Sequence, residues 1–195
     1  MISKVKAQPQ TLIQRIAFNR KASQLKLLNL AFVISGVILL SALAQVSIPL
    51  PFTPVPITGQ SLGVLLIALF YGSRLATSTT LSYLGLGMAG LPIFAEFKSG
   101  LVFPSAGYLV GMLAASYVVG LLADRGWTKN IGSTLMASLI GKAIIFSFGL
   151  VGLSFFVPMK SLLVMGFYPF VPGLIVKVLV ATAIVSGVEA TNVKK

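Results

Sequence analysis

Apolar residues run in long blocks along this chain, and short polar or proline-rich breaks separate them. No charge falls between Leu27 and Ser73. A bilayer-crossing helix needs about 20 mostly apolar residues. The blocks predict six spans, at about 27–46, 58–71, 75–91, 105–123, 131–155 and 173–188. The second is short: at about 1.5 Å per residue it reaches only ~20 Å against a ~30 Å hydrocarbon core. It must lean on its neighbours or start below the surface. Residues 1–26 are a basic segment, in which Leu12, Ile13, Ile16 and Phe18 form the apolar side of a short amphipathic helix on an anionic membrane face, or else a disordered leader. Residues 191–195 form a short tail. The predicted fold class is an all-α integral membrane protein.

The sharpest break is Ile48–Thr58, with Pro49, Pro51, Pro54 and Pro56 inside it. Proline fixes φ, lacks a donor and pushes its predecessor toward extended geometry. A rigid extended loop, capping the bundle at the bilayer surface, is the expectation. Pro92 closes the third span, and Phe94–Gly100 forms a second loop on the same side. Gly107, Gly111 and Ala115 recur every four residues and let another backbone come close. Thr77, Ser78, Thr79, Thr80, Ser82 and Tyr83 crowd the third span. Hydroxyls in such numbers must bond backbone or face the bundle interior. They are packing glue, or, for Tyr83, pocket lining.

Composition narrows the chemistry. The chain is 56% hydrophobic and 9% charged, with no Cys and no His. Thiol nucleophiles, thiolate metal sites and histidine bases are excluded. Its three acids, Glu96, Asp124 and Glu189, do not support paired-carboxylate catalysis. No Gly-x-x-x-x-Gly-Lys-Ser/Thr loop occurs, so the chain has no P-loop ATPase of its own. No enzyme activity, cofactor or metal is expected.

The net charge of +12 does not point to nucleic acid, because the cations flank apolar runs. With six spans both termini share one side. Eleven of the fifteen basic residues then lie on the terminal side: Lys4, Lys6, Arg15, Arg20, Lys21, Lys26, Arg74, Arg125, Lys129, Lys194 and Lys195. Lys98 and Lys160 lie opposite. By the positive-inside rule both termini are cytoplasmic, and the proline loop faces outward. A basic leader before an apolar core also resembles a cleavable signal, but its removal would leave an odd number of spans.

Ala44–Gln60, AQVSIPLPFTPVPITGQ, resembles the first loop of the BioY family, the biotin-binding S components of energy-coupling-factor (ECF) transporters. Gly90-Leu91-Pro92-Ile93-Phe94, Gly107-Tyr108-Leu109-Val110-Gly111 and Pro172-Gly173 with Lys177 match further along, in order, over roughly residues 27–189. The resemblance implies an S-component-like bundle in the cell membrane. It implies capture of biotin from outside and its release inside, with an ECF transmembrane coupling protein and ATPase subunits as partners.

Lys177 is an intramembrane charge, and such charges are functional candidates by default, though it could snorkel to the surface. It matches the family's Pro-Gly-Asp-x-x-Lys motif, whose Asp and Lys are understood to contact the biotin rings. Leu174 stands at the Asp position, a departure that keeps another vitamin-like ligand open. Glu96 lies near the polar ligand contact of the family's second loop. With Lys177 as donor it could serve as the missing acceptor, or it simply pairs with Lys98. Phe52, Phe94 and Tyr108 are candidate apolar walls, or packing. Lys142, near the middle of the fifth span, could bond backbone, line a wet cavity or hold an anionic group. Ala31-x-x-x-Ser35 on the first span resembles the small-residue pattern with which such components dock the coupling subunit; packing within the bundle explains it equally. A non-transporting membrane scaffold would keep the helices and need no pocket.

Overall fold

The computed structural model describes residues 10–17, 21–100 and 103–193. In chain order the elements are α1 (Leu12–Ala17), α2 (Ala22–Gln45), β1 (Ser47–Leu50), β2 (Thr53–Thr58), α3 (Gln60–Met88), α4 (Ala106–Asp124), α5 (Ile131–Leu153), α6 (Leu162–Gly166) and α7 (Val171–Val193). Five helical stretches are long and apolar enough to cross a membrane. One of them, α3, crosses twice.

Gly72 breaks α3 with φ 76° and ψ 176°, a conformation that only glycine adopts without strain. The chain reverses there. Gln60 and Tyr83 are 23 positions apart, yet their side chains bond at 2.6 Å; a straight helix would hold them about 35 Å apart. Residues 60–71 and 73–88 are therefore antiparallel limbs, and the bundle has six. The short second span accordingly leans on its own continuation. Both limbs bury apolar side chains against α4, with Leu65, Leu69, Tyr83 and Val119 in the core.

α4 and α5 touch through glycine. A Cβ on Gly107 would lie 2.8 Å from Gly152 Cα, and one on Gly111 would lie 2.9 Å from Ile145 Cα. The four-residue spacing of small residues on α4 is thus the seam with α5. In contrast, α2 turns Leu27, Leu30, Ile34 and Ile38 outward, as a helix bathed in lipid does.

Several expected boundaries move. α2 begins at Ala22, inside the expected basic segment, and α7 begins at Val171, with Pro172 in its first turn, where a missing N–H costs nothing. The third limb ends at Met88, before Pro92. The proline-rich stretch, expected as a rigid extended loop, is extended but is paired with itself as an antiparallel hairpin. Ser47 pairs with Thr58, Ile48 with Ile57 and Leu50 with Thr53, with an irregularity between Ile48 and Leu50 where Pro49 sits. In a sheet of two strands both are edges, and edges tolerate proline.

α1 also departs from expectation. It docks on the bundle rather than lying on the membrane. Thr11 and Ile13 are buried. Gln14 Nε2 donates to Asp124 Oδ1 at 2.7 Å, and Arg15 pairs with Glu189 at 2.8 Å. Two buried or half-buried acids of α4 and α7 thereby gain partners, which outweighs surface adsorption of a single helical turn. Phe18 lies outside the described residues, as do Lys4, Lys6, Arg20, Lys194 and Lys195.

The bonds sort the connections into two ends. Gly72, α1 and the Asp124 turn gather at one: Asp124 Oδ2 accepts from Ser73 N and Ser73 Oγ. The proline hairpin, the loop after α3 and the segment around α6 gather at the other, where Thr53 Oγ1 donates to Met165 O at 2.7 Å and Gln45 Nε2 donates to Phe94 O at 3.0 Å.

Candidate functional site: an internal cavity under the proline hairpin

At the hairpin end the bundle holds a partly open pocket, with about 710 Å³ of space counted together with the open solvent at its mouth. β2 roofs it with Val55, Pro56 and Thr58, and the first turn of α3 contributes Gln60 and Ser61. The loop after α3 supplies Phe94, Ala95 and Lys98. Tyr108 and Met112 of α4, Lys142 and Phe146 of α5, then Phe170, Leu174 and Lys177 close it.

Each wall is held from behind. Phe94 packs edge-on against Tyr83 at 5.3 Å between ring centres. Only glycine fits beneath it, since a Cβ on Gly87 would sit 2.1 Å from Phe94 Cζ. The opposite wall is a run of rings: Tyr108 meets Phe146 edge-on at 6.0 Å, and Phe146 meets Phe170 at 6.2 Å. Tyr108 is further fixed by its hydroxyl, which donates to Gly166 O at 2.7 Å.

The polar groups are few and held in place. Tyr83 OH accepts from Gln60 Nε2 and donates to Ile93 O at 3.0 Å, linking the start of α3 to the second loop. That loop is strained. Glu96 and Phe97 both take left-handed backbone, at φ 58° and 57°. For residues other than glycine this costs on the order of 1–3 kcal/mol each. Gln45 offsets it by bonding Phe94 O and Phe97 N with its two amide atoms. Lys177 Nζ donates to Thr58 O at 2.7 Å, tying α7 to the hairpin. Lys142 Nζ donates to Ser61 Oγ at 2.6 Å.

Of the side chains singled out in the sequence, Lys177, Lys142, Phe94 and Tyr108 converge on this cavity, with Leu174 beside them. Tyr83 does not line it but stands behind Gln60. Glu96 does not line it either. Its carboxylate turns to Lys98, the neighbour two residues on, because the left-handed turn points it away from the bundle. Phe52 sits at the hairpin turn, 53% exposed, and is no wall of the cavity. Ala31 and Ser35 are exposed on α2, and Ser35 Oγ donates to Phe32 O. Sequence reasoning missed Thr58, Gln60, Ser61 and Lys98 as lining. Gln60 carried a signal, as an uncharged polar residue opening an apolar limb directly after the proline stretch. Ser61 carried none.

Six membrane limbs around a partly open cavity, lined by rings and a few fixed donors, define a multi-pass membrane protein with a pocket at one end of its bundle. The family model described as BioY matches residues 18–193, and the chain belongs to that family. It is 35% identical over 152 residues to "Biotin transporter BioY" of Thermotoga maritima, covering 76% of this chain and 89% of that one. It is 30% identical over 172 residues to "Probable biotin transporter BioY" of Rickettsia prowazekii, covering 87% and 86%. Among solved structures, the S-component for biotin from an ECF-type ABC transporter superposes with a TM-score of 0.75 over 88% of this chain and 95% of that one, at 23% identity. The fold is therefore that of an S component.

Proposed function

We propose that this chain is the substrate-binding membrane component of a biotin uptake system. It takes biotin from outside into the cavity under the proline hairpin, and an ECF coupling protein with its ATPases drives release inside. The observation that carries this reading is the convergence of Lys177, Phe94 and Tyr108 on one pocket. The names of its relatives supply the ligand. Aromatic walls suit a fused ring, and Lys177 is a donor suited to a ureido carbonyl. A membrane scaffold would have no use for such a chamber. The cation distribution supports cytoplasmic termini and an outward hairpin. The exposed face of α2 that carries Ala31 and Ser35 is the proposed contact for the coupling protein.

Leu174 favours a second reading, an S component for another small vitamin-like molecule. It lies in the cavity lining, where it offers no acceptor for ring N–H groups.

Calorimetric titration of the purified protein with biotin separates the two. The expected result is saturable binding, weakened about 10- to 100-fold by Lys177→Ala, the scale of a lost hydrogen bond to a charged group. Folded protein that takes up no biotin would sink the first reading and leave the second.

A further inference from the structure

The charge lining the cavity is one-sided. Lys98, Lys142 and Lys177 line it, and no carboxylate does. The chain's three acids are engaged elsewhere: Glu96 with Lys98, Asp124 with Ser73 and Gln14, Glu189 with Arg15. The three ammonium groups are not equally compensated. The Lys98 side chain is 43% exposed and already carries its carboxylate. Lys177 holds a backbone carbonyl, a strong acceptor. Lys142 is 2% exposed, sits in the middle of a membrane helix, and bonds only the neutral hydroxyl of Ser61 among the described residues. A buried cation without a counter-charge costs several kcal/mol. In this chamber a negative group relieves most of such a cost beside Lys142, the more deeply buried of the two unpaired lysines.

We propose that Lys142 is the specificity-determining residue for a carboxylate on the ligand. The carboxylate sits deep in the cavity at the Lys142–Ser61 step, not at the mouth. Lys142 gives it a charge-assisted hydrogen bond. Ser61 accepts from Lys142 through oxygen and keeps its hydroxyl proton to donate, so two donors meet one carboxylate. Lys177 adds to the same field: its acceptor, Thr58, lies three residues before Ser61 across the junction of β2 and α3. At the mouth, Glu96 already neutralises Lys98 and repels a second carboxylate. The low dielectric around Lys142 strengthens the pairing relative to a surface site. This assignment rests on the uptake reading above and adds which end of the ligand goes in first.

The test compares biotin with biotinamide, which keeps the rings and chain but carries a neutral amide in place of the carboxylate. Both are titrated calorimetrically into the wild type, Lys142→Met and Ser61→Ala. The wild type is expected to prefer biotin by about 10- to 100-fold. In Lys142→Met that preference falls to about 3-fold or less, because biotin loses more affinity than biotinamide does. Methionine fills the same space without charge, and replacing a buried charge by an apolar chain is often neutral for folding. Should that variant unfold, Ser61→Ala carries the test, with the preference reduced about 3- to 10-fold. A wild type that binds both ligands equally overturns the proposal, and so does a variant that keeps the full preference. Folded wild type that binds neither ligand refutes the uptake reading itself, and the assignment falls with it.

Discussion

Tyr83 and Glu96 show how far a residue's neighbours decide its part. Both were candidates from type and position. Tyr83 ended one layer behind the cavity, its hydroxyl shared between Gln60 Nε2 and Ile93 O. Glu96 ended outside, paired with Lys98. Removing the hydroxyl in Tyr83→Phe leaves the Gln60 amide and the Ile93 carbonyl each short of a partner. Biotin affinity should drop about 3- to 10-fold in calorimetry, with about 1 kcal/mol less stability, the worth of an ordinary buried hydrogen bond. Lys177 and Lys142 were legible for a different reason. A charge inside an apolar run must reach a partner or a wet space, so sequence alone marks it. Which partner it reaches depends on helix packing, and Thr58 and Ser61 lie 119 and 81 positions away.

Among the elements, α3 and the proline hairpin carry the site. α3 delivers Gln60 and Ser61 at its start and, after folding back at Gly72, Tyr83 behind them. Alanine at position 72 meets two obstacles. The backbone conformation excludes a side chain, and a Cβ would lie 2.2 Å from Asp124 Oδ1. Gly72→Ala should cost at least about 3 kcal/mol, read as a lower thermal unfolding midpoint of the purified protein. It should also loosen the bond between Gln60 and Tyr83. The hairpin was foreseeable as an extended, rigid element from its four prolines. Its strand pairing was not, because ladder bonds form between positions up to eleven apart and proline counts against strands in any local reading.

For the whole molecule, the two groups of connections lie at opposite ends of the bundle, and the proposed orientation assigns each a side of the membrane. The chain has no cysteine, so single cysteines can report it. In intact cells or right-side-out vesicles, Met159→Cys, on the exposed turn before α6, should react with a membrane-impermeant maleimide. Lys129→Cys, on the turn before α5, should react only after permeabilisation. The reverse pattern would invert the orientation and with it the direction of capture.

The sequence by itself marked six spans, the rigid proline-rich break between the first two, and the two lysines that stand inside apolar runs. Those properties follow from local terms: transfer of apolar side chains to lipid, the fixed φ of proline and the cost of an isolated charge. Its resemblance to a family was legible in the same short stretches. Tertiary structure alone decided that the reversal between the second and third spans is made at Gly72 with no loop, that α1 docks on Asp124 and Glu189, and that Glu96 turns away while Ser61 turns in. Each of those outcomes is set by contacts between distant segments, through hydrogen-bond partners and glycine clearances that no local pattern encodes.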